Sequence, residues 1–282
     1  MKKYIPGIYV LEGTGIPAAE QIGILKDAGF GAFFTEWHPE ETSEVAKAAE
    51  KHGVIFQSIH SPFSGECHVS EMWKEGEKGK AVAARLIDCV KDCANHNIPV
   101  MVIHPFIGFR DHTPTQVGLD NYARVIDAAN DLGVKLGFEN VEGEEYLDAI
   151  MKRFWDAPSL GFCLDTGHEL CYNDGKDMMA LYGEKLCHTH LNDNLGKILS
   201  PDASIDDMWQ GDLHLTMGDG IVDWKGVMDR IDASPYEGPL ICELSRRNRP
   251  NRNDHDRYLA MSVEEFYAYA YDRAMKVINR EL

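Results

Sequence analysis

Eight short runs of aliphatic, aromatic and β-branched residues recur along these 282 residues, and each leads into a stretch with the apolar spacing of a helix. This alternation is the strongest constraint on the fold. A strand that returns parallel to its neighbour needs a crossover, usually a helix, and eight such units in one domain-sized chain suit a closed barrel. The strands are expected at Tyr4 to Val10, Gly31 to Thr35, Val54 to His60, Val100 to His104, Val134 to Glu139, Leu160 to Asp165, Leu186 to Leu191 and Leu240 to Glu243. The helices are expected near 17 to 29, 41 to 52, 76 to 96, 115 to 132, 144 to 153, 176 to 183, 224 to 232 and 262 to 280. The expected architecture is α/β, a single (β/α)8 barrel over residues 1–282. A doubly wound sheet would use fewer strands and a glycine-rich phosphate turn after the first. Leu11-Glu12-Gly13-Thr14-Gly15 lacks the third glycine of that turn.

Side chains two apart on a strand share a face. Counting back from Glu139 places Gly137 and Lys135 inward, with Phe138, Leu136 and Val134 toward the helices. From Asp165, Cys163, Gly161 and Ser159 are expected inward, with Leu164, Phe162 and Leu160 outward. Small residues inside suit a narrow lumen, and the catalytic mouth of such a barrel lies at the C-terminal strand ends.

Composition excludes several classes. With 46 acidic against 28 basic residues the formal charge is -18, which opposes a nucleic-acid partner. Hydrophobic residues make up 44% and charged residues 26%, a folded, water-compatible balance. No apolar run is long enough to span a bilayer, and Met1-Lys2-Lys3 leads into the first strand without a signal-peptide pattern. Seven cysteines without a C-x-x-C suit a reducing compartment, so a cytoplasmic location is expected. Cys89 and Cys93 fall at helical spacing with Val82, Leu86 and Val90 and are expected in the core.

The strand ends carry the chemistry. His60, His104, Glu139, Asp165, His190 and Glu243 each stand at or beside one, with His168 three residues past Asp165 and the Asp212-Leu213-His214 pair in the loop after strand seven. A single strand-end His or Asp is usually a satisfied polar group. Several carboxylates at one barrel mouth would repel one another unless a cation neutralised them. Imidazoles and carboxylates without a thiolate suit Mn²⁺, Zn²⁺, Co²⁺ or Mg²⁺.

Leu164-Asp165-Thr166-Gly167-His168, His190-Leu191-Asn192-Asp193, and Asp212-Leu213-His214 followed by Gly218-Asp219-Gly220-Ile221-Val222-Asp223-Trp224 resemble the xylose isomerase-like barrel superfamily, which includes endonuclease IV, ketose 3-epimerases and inosose dehydratases. The resemblance covers essentially the whole chain. Its epimerase and isomerase pattern implies one divalent ion held by Glu139, Asp165, His190 and Glu243, with His168 beside the substrate and Glu139 and Glu243 as the proton-transfer pair. Its endonuclease IV pattern implies up to three zinc ions, with His60, His104, Asp212 and His214 joining the same core, and His168 is a further candidate ligand. Ketose 3-epimerases carry an arginine six positions after the strand-seven histidine; here that position is Gly196, followed by Lys197, which counts against that specific reaction. The extended acidic loop with Asp202, Asp206 and Asp207 counts against a DNA track.

Other residues have smaller expected roles. Trp37, Phe63, Phe106, Phe109, Tyr172 and Trp209 follow strands and are candidates to wall a sugar pocket, with Lys197 and Arg246 as candidate substrate contacts. The cluster Arg246, Arg247, Arg249 and Arg252 suits a small anion, or else a solvated loop or subunit contact in which Asp254 and Asp256 pair with the arginines. His188 is expected to be a core residue one layer below His190, and His38, His68 and His112 to be loop polar groups. The long loop from Asn192 to Gly220 is expected to form a lid or a contact in a homo-oligomer. The leading expectation is a metal-dependent isomerase or epimerase acting on a small carbohydrate by enediolate proton transfer. The alternatives are a metal-dependent dehydratase, a phosphodiester hydrolase on abasic DNA, and a silent binding protein.

Overall fold

The computed structural model describes residues 2–110, 112–197 and 204–282. Eight strands are formed: β1 (Pro6–Tyr9), β2 (Ala32–Glu36), β3 (Ile55–His60), β4 (Val100–Ile103), β5 (Lys135–Glu139), β6 (Leu160–Asp165), β7 (Leu186–His190) and β8 (Leu240–Cys242). They lie in one parallel sheet in the order β7-β6-β5-β4-β3-β2-β1-β8. The two free edges meet at a narrow seam. Leu191 bridges Cys242, donating to the Ile241 carbonyl at 2.8 Å and accepting from the Glu243 amide at 3.1 Å. The Thr189 hydroxyl takes the Ile241 amide at 2.9 Å. The result is the expected (β/α)8 TIM barrel, closed except for this weakly paired seam.

The helices are α1 (Ala18–Ala28), α2 (Thr42–His52), α3 (Glu77–Asn95), α4 (Gln116–Leu132), α5 (Glu144–Phe154), α6 (Thr166–Cys171), α7 (Met178–Tyr182), α8 (Trp224–Ala233), α9 (Asp256–Leu259) and α10 (Val263–Ile278). The amphipathic ones match the sequence reading to within a residue or two. α6 and α9, of six and four residues, were not expected. β2 also runs one residue past its expected end, which makes Glu36 a strand-end residue.

Packing follows the alternation. Leu136, Phe138, Leu160, Phe162 and Leu164 join the main core between strands and helices. Inside the barrel, Ala32, Phe34 and Ile241 pack with Tyr9, while Val100, Val102 and Cys163 pack with Cys187. Cys187 reaches the lumen because the β6–β7 register slips between Phe162 and Cys163. The inward Gly161 makes room for it: a Cβ there would fall 2.3 Å from the Cys187 Sγ. Cys89 and Cys93 are buried on α3, and all seven cysteines are unpaired. Among the described residues, no helix is long and apolar enough to cross a membrane. Asp202 lies outside the described residues.

Candidate metal centre and substrate cavity

The C-terminal ends of the parallel strands bring these side chains together at the barrel mouth, with Glu139 as their hub. Its Oε1 lies 3.0 Å from His190 Nδ1 and 3.5 Å from His168 Nδ1. Its Oε2 lies 3.2 Å from His104 Nε2 and 3.4 Å from His60 Nε2. His190 Nδ1 is also 3.2 Å from Glu243 Oε2, and Glu243 Oε2 is 3.4 Å from His214 Nδ1. Asp212 closes the ring, with its Oδ1 2.9 Å from His214 Nε2 and its Oδ2 3.5 Å from His168 Nε2.

Donor atoms of Glu139, Asp165, His190 and Glu243 all lie within 4.8 Å of one another, and the same holds within His60, His104 and Glu139 and within Asp165, His168 and His214. The residues fit a cation. Glu139 Oε2 is buried near two imidazoles yet hydrogen-bonded to neither, while the unpartnered His104 Nδ1 and His190 Nε2 are the ring nitrogens that do not face Glu139. Carboxylate oxygens and ring nitrogens gathered at these spacings suit ligands of a shared ion, and an unpartnered buried carboxylate oxygen is otherwise costly. The Glu139, Cys163 and His190 atoms also come together, with the thiol beneath the carboxylate layer.

The sequence motifs prove to be scaffolding as much as ligands. Asp165 ends β6 and caps α6, accepting from the His168 amide at 2.7 Å. Asn140 exchanges two bonds with the Asp165 backbone, both 2.8 Å, and its carbonyl lies 3.0 Å from His168 Nδ1. Asn192 donates to Asp165 Oδ2 at 2.7 Å. Gly167 must be glycine for this to hold, since a Cβ there would fall 2.0 Å from Asn192 Oδ1. Asp193 ties down the next segment, accepting from the amides of Gly218 (2.7 Å) and Val222 (3.0 Å) and from Trp224 Nε1 (3.0 Å).

Burial opposes every charge here, and only close opposite charges override it. Despite burial, His190, His104 and His60 hold the Glu139 carboxyl well below the usual range, and His190 and His214 hold Glu243 down to about 2. Against the same burial, Glu36 and Glu139 push His60 up to about 9, and Asp212 and Glu243 push His214 up to about 9. For Asp165 burial wins and raises the carboxyl to about 7. Without a cation, protons on imidazoles supply the missing positive charge.

Above the centre opens a cavity of about 910 Å³, lined by Glu139, His168, Asp212 and Glu243 at its base and by Tyr9, Phe63, Phe109, Tyr172 and Trp209 along its walls. Three expected substrate contacts lie elsewhere. Trp37 donates to Asp92 at 2.8 Å under the Arg85 guanidinium. Phe106 stacks on Tyr146 with centroids 4.0 Å apart. Lys197 pairs with Asp174, outside the cavity lining. Residues that follow a strand can turn toward the mouth or toward the helices, and these three turn away. Arg246 does line the cavity, but its guanidinium is bonded to the carbonyls of Tyr258 and Met261. Arg249 holds Asp212, Arg252 pairs with Asp254 at 2.6 Å, and Arg247 stands exposed on the rim. Asp256 instead accepts from Asn248 at 2.7 Å. His188 is a core residue beside Ser58, at 3.1 Å.

Among the lining residues that the sequence reading missed are Glu36, Tyr9 and Glu142. Glu36, 3.7 Å from His60, follows directly on the Phe33-Phe34-Thr35 run and belonged to the alternation. Tyr9 faces inward by the same count, next to Phe34. Glu142, in a turn, carried no signal. Of the expected lid, the turn Ile205–Gly211 brings Trp209 to the cavity, and residues 198–203 lie outside the described residues.

Comparison with known proteins agrees with this geometry. Over 138 residues the chain is 30% identical to the uncharacterised protein y4fM of Sinorhizobium fredii, and over 140 residues 24% identical to an inosose dehydratase of Geobacillus thermodenitrificans. These matches take in 46% and 45% of this chain and only 40% and 46% of the relatives' lengths. The D-psicose 3-epimerase structure from Clostridium cellulolyticum H10, solved with D-tagatose, superposes with a TM-score of 0.73 at 16% identity, covering 99% of both chains. At that identity the likeness speaks for the fold. The family model for the xylose isomerase-like TIM barrel matches residues 20–262, from the first helix to the edge of the last, and the chain belongs to that family.

Proposed function

We propose that this chain is a divalent-metal-dependent isomerase or epimerase acting on a sugar, a polyol ketone or a sugar phosphate. The observation that carries this reading is the convergence of Glu139, Asp165, His190 and Glu243 at the base of an aromatic-walled cavity. Three carboxylates and one imidazole would hold one Mn²⁺, Zn²⁺, Co²⁺ or Mg²⁺ and leave room for ligand oxygens. The chemistry such an ion supplies when bound is polarisation of a carbonyl and stabilisation of negative charge on oxygen.

The chain's own residues supply the rest. Glu243 and Glu139 reach the cavity from strands far apart in the ring, so one carboxylate removes a proton from carbon and the other returns it. His168, 4% exposed and anchored on the Asn140 carbonyl, presents Nε2 toward Asp212 and the cavity, where it orients a substrate hydroxyl. Phe63, Phe109, Tyr172 and Trp209 offer aromatic faces to the apolar side of a sugar ring. A dehydratase would begin with the same proton abstraction, and the partial match to an inosose dehydratase supports it as the nearest alternative.

A second reading rests on the two flanking groups, His60 with His104 and Glu139, and Asp165 with His168 and His214. Were these also filled, two or three ions would suit phosphoester hydrolysis. Metal content per chain separates the two, one ion favouring proton transfer and two or three favouring hydrolysis. In D₂O, deuterium is expected to enter a carbon-bound position of the substrate. Glu139→Gln is expected to lower that exchange by at least ~10²-fold, and unchanged exchange would overturn the assignment.

A further inference from the structure

Three arginines line the cavity, Arg246, Arg247 and Arg249, all on the segment that follows β8. Arg249 alone among them pairs with a carboxylate of a described residue. Its Nε donates to the Asp212 carbonyl at 2.6 Å and its Nη2 to Asp212 Oδ2 at 3.3 Å, while the guanidinium lies 5.4 Å from the centroid of the Trp209 ring. The chain is shaped to hold it there. Arg249 precedes Pro250, which biases it toward extended backbone, and Asn251 takes a left-handed φ of 59°. With the Arg252 amide donating to the Arg249 carbonyl at 3.1 Å, these four residues make a type II turn.

Asp212 is 8% exposed, and its carboxylate also meets His214 Nε2 at 2.9 Å and His168 Nε2 at 3.5 Å. Among the described residues, it belongs to none of the donor groups close enough together to hold a metal.

We propose that Arg249 is a resident cation that takes a metal's place beside Asp212 and so limits how many ions the centre binds. This rests on the metal reading above and deepens it. An ion on Asp212 Oδ2 would stand about 2.0–2.2 Å from that oxygen, hence no more than about 5.5 Å from Arg249 Nη2. Like charges that close in a largely buried site repel, and a guanidinium cannot shed its proton to relieve this. His168 and His214, two of the three residues in one flanking group, both turn Nε2 to the same carboxylate, so the guanidinium charge bears on that group too. Asp212 is left as the acceptor that orients both imidazoles. A centre restricted in this way favours single-ion proton transfer over hydrolysis with several ions.

The test is ion count and ion position in the full chain dialysed against excess zinc, for wild type, Arg249→Lys and Arg249→Met. Lysine keeps the charge, and methionine keeps aliphatic bulk without it. Wild type and Arg249→Lys should bind the same number of ions per chain, with no anomalous zinc peak bonded to Asp212 in crystals. Arg249→Met should bind one more ion, with an affinity at the added site at least ~10-fold above that of wild type. Adding Asp212→Asn should remove the gain. An unchanged count in Arg249→Met, or an equal gain in Arg249→Lys, would overturn the proposal. Should Arg249→Met not fold, the wild-type zinc map decides: a peak bonded to Asp212 overturns the proposal, and a filled Glu139 centre without one upholds it. Wild type with no ion at Glu139 sinks the metal reading, while a gain at Asp212 in Arg249→Met would still uphold the role of Arg249. No ion in any form sinks both.

Discussion

At the scale of single residues, the centre behaves as a set of charges waiting for a counter-charge. His60 and His214 are pushed up from 6.5 to about 9. A raised imidazole contributes stability that is fully present below its unfolded value and is lost as pH rises through the folded one. The metal-free protein is therefore expected to lose melting temperature between about pH 6.5 and 9. Metal-loaded protein should lose less, because ligation favours neutral imidazoles. Melting curves of chelator-treated and reloaded protein across that range check this, and parallel curves would refute it. Most of these residues could be read from sequence because strand ends are where an apolar run stops at a polar residue. Glu36 escaped by one position, and Glu142 because no periodicity governs a turn. Trp37, Phe106 and Lys197 follow strands as a wall residue should, but their direction is set by Asp92, Tyr146 and Asp174, partners distant in sequence or placed only by the fold.

At the scale of elements, the junction between β6 and α6 carries the most function per residue. Asp165 is at once the strand's last residue, the helix cap and a candidate ligand, and Asn192 of the neighbouring strand end holds its second oxygen. Gly167→Ala would drive a methyl into Asn192 and release that hold. The expected result is a metal affinity ~10–100-fold weaker, by analogy with loss of a supporting hydrogen bond at other metal sites. Stability should fall by ~1–3 kcal/mol. Metal titration and thermal melts of the variant measure both, and wild-type affinity would show that Asn192 does not position Asp165. The fold was readable at this scale because β/α alternation repeats eight times, so an error of a residue at one boundary leaves the topology intact. The slip that turns Cys187 into the lumen was not readable, since a bulge adds one residue without changing composition.

At the scale of the whole molecule, charge and closure matter most. The four carboxylates of the centre are a small part of 46, so the net charge of -18 belongs mainly to the rest of the chain. Binding to an abasic duplex at ~150 mM salt is expected to be weaker than a Kd of ~10⁻⁴ M, because too few cations are available to displace counter-ions from the backbone. Fluorescence anisotropy with labelled duplex measures this, and tight, salt-sensitive binding would revive the nuclease reading.

The seam between β7 and β8 has a consequence of its own. Seven strand pairs are laced by backbone ladders, whereas this one hangs on Leu191 and the Thr189 hydroxyl. His190 stands on one lip of the gap and Glu243 on the other. An ion gripped by both would act as a clasp on the barrel, so that loading the site also finishes the hoop. Amides of Leu191 and Glu243 should then exchange with solvent faster after chelation than those of β4 and β5 on the opposite side. Emptying the centre would loosen the cylinder at its one unlaced edge, and metal supply would govern how long the chain survives as well as what it does.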